Sequence, residues 1–171
     1  YAIMQAQEMR DESTRLNYKK GNFIAALALA QAYDFAGRYD EAIEIYKQAL
    51  ENNPTANENG LLIIHGNLAK LYKKQEKYPQ ALSEYQKQLD VLTKVSKGLP
   101  LSDTFKTIFL EIETSFCKIY MITKDQEKLI QHLKKAEEYY SDNVYLGAYI
   151  NYHSLWGFYY KPVSYTHLRA H

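Results

Sequence analysis

Between Phe23 and Ala56 the apolar residues outline a helix, a turn and a second helix, and the same outline returns downstream. This recurrence restricts the fold more than any other feature, because a repeated unit buries its apolar face only by stacking on its neighbours. Ala26, Leu29, Ala30 and Tyr33 stand 3, 1 and 3 residues apart, which places them on one helical face. Gly37 breaks that helix. Arg38-Tyr39-Asp40-Glu41 starts the next, with acidic residues in a first turn whose dipole favours them. Ala42, Tyr46 and Ala49 form its inner face, and Asn52-Asn53-Pro54 is expected to end it.

Leu68, Ala69 and Tyr72 repeat the first face 39 residues after Leu29, Ala30 and Tyr33. Tyr78-Pro79-Gln80-Ala81 restarts the chain there, with Pro79 in a first turn where its missing N–H costs nothing, and Tyr85 follows. Phe116, Cys117 and Tyr120 open a third, more degenerate copy 48 residues further on, continued by Leu129, Leu133 and Ala136. Its extra length sits mainly in Val95–Asp103, where Gly98 and Pro100 read as helix end and loop, and Ser102 or Asp103 as the next N-cap. Trp156, Gly157 and Tyr160, preceded by His153, begin a fourth copy, and Tyr1–Lys20 reads as a leading helix.

The pattern resembles the tetratricopeptide repeat, a helix–turn–helix unit of about 34 residues. Leu29, Tyr33, Ala42 and Pro54 match that family's positions, Tyr46 stands where Phe is usual, and Ala26 and Ala30 replace a bulky residue and a Gly. The resemblance implies an all-α fold, a right-handed superhelix of stacked antiparallel helix pairs with about three and a half repeats. The expected array spans 1–162, with repeats near 23–56, 62–97, 107–141 and 146–162. The recurring tyrosines then read as packing between helices.

By the same resemblance, the first helices line a groove that binds a protein or peptide. Its expected face is Ile24, Leu27, Gln31, Asp34 and Phe35, then Ile63, Gly66, Lys70, Lys73 and Lys74, then Glu111, Thr114, Lys118, Met121 and Ile122. Asn67 is added because it alone matches the Lys, Asn and Arg clamp with which some members hold a chaperone's C-terminal carboxylate. Leu27, Gln31, Glu111 and Ser115 replace the rest of that clamp, which disfavours a chaperone tail. Lys70, Lys73, Lys74 and Lys77 cluster on one helical face, partly offset by Glu76 and Glu84, and make an acidic segment the expected partner.

Composition narrows the class further. The formal charge of +1 lacks the basic excess of a nucleic-acid surface. The longest apolar run, Phe23–Ala30, is far too short to span a membrane. One Cys excludes an internal disulfide framework and a multi-Cys zinc site, and suits cytoplasm and periplasm alike, with the cytoplasm slightly favoured. No Gly-rich phosphate loop occurs, and His65, His132 and His153 lack ligand spacing. Cys117 takes the small-residue position of a packed helix, as a buried inert thiol. The expectation is a non-enzymatic interaction module with no metal and no cofactor. The alternative is a sensory or regulatory arm of a larger bacterial signalling protein, a kinase or transcription regulator.

Residues 163–171, Val-Ser-Tyr-Thr-His-Leu-Arg-Ala-His, resemble a translated sequencing-library adapter and are set aside as non-native. With Tyr rather than Met at position 1, the expectation is a fragment of a longer protein.

Overall fold

The computed structural model describes residues 1–52, 57–141 and 143–167, with backbone alone for 159–167. Among these residues the chain is all-helical, without a strand. The helices are α1 (Ala2–Arg15), α2 (Lys19–Phe35), α3 (Tyr39–Glu51), α4 (Glu58–Lys74), α5 (Tyr78–Ser96), α6 (Asp103–Thr123), α7 (Gln126–Tyr139) and α8 (Leu146–His167). They form two compact units, Tyr1–Gln88 and Leu89–His171.

In the first unit each helix from α1 to α4 packs on the next. The core between α2, α3 and α4 is built from Ala26, Ala30, Ala42, Tyr46, Ile64 and Leu68 and their neighbours. Alanines at the contact positions let the helices approach closely, and the Tyr46 ring fills the remaining space at 1 % exposure. In the second unit α6 packs on α7 and on α8. There Leu110, Ala136, Val144, Ala148 and Tyr152 form a core against which Trp156 is half-buried. Tyr160, Pro54 and residues 168–171 lie outside the described side chains.

One turn geometry recurs. Gly37, Glu76 and Lys124 all adopt positive φ, at +74°, +59° and +59°. In each case the next residue donates its N–H back to a repeat tyrosine: Arg38 to the Tyr33 carbonyl, Lys77 to Tyr72, and Asp125 to Tyr120, at 2.9–3.0 Å. This is a six-residue closing bond that satisfies a carbonyl at the helix end. The same kind of closure, with Asn17 at φ +50° and Tyr18 donating to Ser13, ends α1 at Arg15. The expected continuous leading helix to Lys20 is therefore corrected: Lys19 already begins α2. Side-chain caps start three helices, with Asn57, Ser102 and Asp125 accepting from the Gly60, Phe105 and Lys128 N–H groups. Of the two candidates before α6, Ser102 is the cap.

A buried His–Glu hydrogen bond also recurs, with its members exchanged. In the first unit His65 Nδ1 on α4 donates to Glu84 Oε2 on α5 at 2.7 Å. In the second unit His132 Nδ1 on α7 donates to Glu113 Oε2 on α6 at 2.6 Å. Glu113 stands 48 residues after His65, and His132 stands 48 after Glu84. The same two positions of the helix pair therefore hold His–Glu in one repeat and Glu–His in the next. Glu113 is the more dependent carboxylate, its side chain only 2 % exposed. Glu84 has a second donor, Lys87 Nζ at 2.6 Å. Burial pushes the Glu84 carboxyl up, but the His65 and Lys87 hydrogen bonds outweigh it and hold it below the usual carboxylate range.

Two outcomes follow for stability, both read by urea denaturation. His132→Leu strands the Glu113 carboxylate and costs about 3 kcal/mol, whereas His65→Leu leaves Lys87 on Glu84 and costs about 1 kcal/mol. Reversing the pair with Glu113→His plus His132→Glu restores more than half of the larger loss. Separately, Glu76→Gly and Lys124→Gly each relieve a left-handed backbone and stabilise by about 0.5–1 kcal/mol.

Candidate functional site

The expected groove residues of the first unit lie on α2 and α4. Ile24, Leu27, Gln31, Asp34 and Phe35 follow helical spacing along α2. Ile24 is 48 % exposed and Phe35, the last residue of the helix, is 94 % exposed. Ile63, 39 residues after Ile24, takes the same position on α4 and is 46 % exposed. Two aliphatic side chains thus recur in solvent at one repeat position, with Phe35 on the same helix further along. Leu27 is half-buried and Gln31 is exposed.

The lysines of α4 have different surroundings. The Lys74 amine binds the Asp34 carboxylate and lies 5.2 Å from the centre of the Tyr39 ring. Gln75 Nε2 donates to Asp40 at 2.9 Å, and Lys77 Nζ stands 4.0 Å from the same carboxylate. Asp34 and Asp40 therefore offset this cluster, and the expectation that Glu84 does so is corrected, because Glu84 faces His65 and Lys87. Lys73 is half-buried. Lys70 is exposed and has no ion-pair partner among the described residues. Asn67 is turned inward, where its Nδ2 donates to the Tyr46 hydroxyl at 3.0 Å. Burial pushes the Tyr46 phenol up to about 12.

Two expected groove positions are buried instead. Gly66 packs against the Gln88 amide of α5, which itself donates to the Leu62 carbonyl. Thr114 is 1 % exposed. It sits one turn before Lys118, whose Nζ reaches Asn151 Oδ1 of α8 at 2.6 Å. Lys118 belongs to the second unit, where it is half-buried, and burial holds its amine below the usual lysine range.

The chemistry of catalysis is not assembled around Cys117. The thiol has no accessible surface, and burial, with Glu113 nearby, pushes it up to about 12. His153 lies against Tyr140, its Nε2 3.2 Å from the phenol oxygen. Among the described residues no three His, Cys, Asp or Glu gather as a metal site, and no described helix is long and apolar enough to cross a membrane.

The family model described as tetratricopeptide repeat matches residues 25–58 and 64–97. Residues 25–58 and 64–97 are tetratricopeptide repeats. The first takes in most of α2 and all of α3, and the second most of α4 and all of α5. Comparison with curated proteins gives no match. Tetratricopeptide repeats are generally protein–protein interaction modules and typically non-enzymatic. The pairs Asp34–Lys74 and Asp40–Gln75 were missed by reading the sequence along single helices. The signal for Asp34–Lys74 is its separation of 40, close to the 39-residue repeat step; Asp40–Gln75, 35 apart, gives no such signal.

A native-state thiol assay checks the packing at Cys117. An aromatic disulfide reagent is expected to leave the folded chain unlabelled and to titrate one thiol once it is unfolded in urea.

Proposed function

We propose that the first unit binds a segment of another protein along α2 and α4. The near-complete exposure of Phe35, on the helix that also presents Ile24, carries this reading. Large apolar side chains held in water on one face gain most by burying against a partner. Ile24 and Ile63 would seat an apolar side chain at one end, and Phe35 a second at the other. Lys70, free of an internal carboxylate, would pair with an acidic residue between them. Lys74 is committed to Asp34, and Asn67 to Tyr46, so both shape the surface rather than lead the recognition. Leu27, Gln31 and Lys73 complete it. The eleven steps from Ile24 to Phe35 rise about 16 Å along the helix, the span of about five extended residues.

Selection from a random peptide library against the whole chain tests the proposal. Enriched peptides are expected to carry two apolar residues about four or five apart, with an acidic residue between them. Phe35→Ser is expected to weaken the best peptide at least about tenfold, and Lys70→Glu to shift the preference from acidic to basic residues. Binding that is indifferent to both substitutions overturns the assignment.

A further inference from the structure

On the side of the first unit where α1, α2 and α3 come together, a cleft of about 300 Å³ opens. Its floor is apolar, formed by Phe23, Ala26 and Ala49, and its walls bring in Arg10 and Lys19. No Asp or Glu lines it. Neither cation has an ion-pair partner among the described residues. This differs from the α4 lysines, where Asp34 and Asp40 supply counter-charges.

Arg10 is held in place. One guanidinium nitrogen donates to Gln48 Oε1 at 3.1 Å, and Gln48 Nε2 donates in turn to Glu44 at 3.0 Å. The carbonyl of Arg10 accepts from the Thr14 hydroxyl at 2.8 Å, and that hydroxyl lies 3.1 Å from the Asn22 amide oxygen. A guanidinium fixed by one hydrogen bond keeps its remaining N–H donors for a second acceptor. The floor has a repeat-level origin. Ala26 stands 39 residues before His65, and Ile45 stands 39 before Glu84, so this repeat lacks the buried His–Glu pair. The small Ala26 lines the cleft at the position where the next repeat carries an imidazole.

We propose that this cleft is a binding site for a small carboxylate with an apolar body. The carboxylate sits on Arg10 and Lys19, and the body rests on Phe23, Ala26 and Ala49. The volume matches that of about ten water molecules, which suits a ring or short chain rather than a folded segment. A flat two-oxygen anion fits the guanidinium fork, and an aromatic floor favours a ligand with carbon behind the charge. The site is separate from the exposed α2 and α4 residues of the peptide proposal and stands or falls independently of it.

The test is titration of the whole chain with benzoate, with inorganic phosphate as the comparison, followed by amide chemical shifts. Saturable shifts at Thr14, Asn22 and Gln48 are expected with benzoate, and much weaker ones with phosphate. Arg10→Gln is expected to weaken benzoate about tenfold. Arg10 also bonds to α3, so Lys19→Gln is the second variant; this exposed side chain bonds to nothing described, and its loss is expected to weaken benzoate about threefold. Absence of a saturable shift overturns the site. So does benzoate binding unchanged in Lys19→Gln, and tighter binding of phosphate than of benzoate overturns the carboxylate assignment.

Discussion

The architecture depends on how closely the paired helices approach. Ala30, Ala42, Ala69, Ala81, Cys117 and Ala136 all have no accessible surface. Each sits where a larger side chain would push two helices apart, and interiors packed to crystal density do not absorb added volume. Tyr46 and Tyr85 fill the space beside these contacts at 1 % and 2 % exposure. The small residue sets the distance and the tyrosine fills what remains. That division of roles explains why Tyr recurs at matching positions of the two repeats in a chain otherwise rich in small residues at its helix contacts.

Close approach also constrains the polar groups. A side chain caught between two tightly packed helices cannot reach water, so it must find its partner on the facing helix. His65 with Glu84, Asn67 with Tyr46 and Glu113 with His132 are three solutions to that problem. In the second unit the imidazole is also stacked, with the Phe116 ring 4.5 Å away and nearly parallel. What these pairs leave outside is a face whose charges are partly cancelled and whose apolar residues are not, the face proposed above to bind a partner.

The helix pairs and their turns could be read directly, because Leu29, Ala30 and Tyr33 recur at fixed spacing and Gly37 marks the break. Glu76 and Lys124 show the limit of that reading. They hold the same left-handed turn as Gly37, imposed by the closing bond to Tyr72 or Tyr120 rather than by their own preference. Side-chain exposure was harder to read. Helical spacing put Gly66, Thr114 and Lys118 on one face with the exposed residues, but Gly66 meets α5, Thr114 is buried and Lys118 reaches α8. Ion pairing was harder still, since Lys74 finds Asp34 on another helix 40 residues away. Periodicity reports which side of a helix is apolar; it does not report which neighbour arrives on the other side.

The exchanged His–Glu pairs carry a consequence for how such a chain can change during its history. If α4 were joined to α7 by recombination, His65 would meet His132; if α6 were joined to α5, Glu113 would meet Glu84. The second hybrid would bury two carboxylates against each other, and the first would leave two imidazoles without an anion. Crossovers inside a helix pair are therefore penalised, while crossovers between pairs leave each imidazole with its own carboxylate. The inverted polarity makes the helix pair, rather than the single helix, the unit that can be copied, moved or lost.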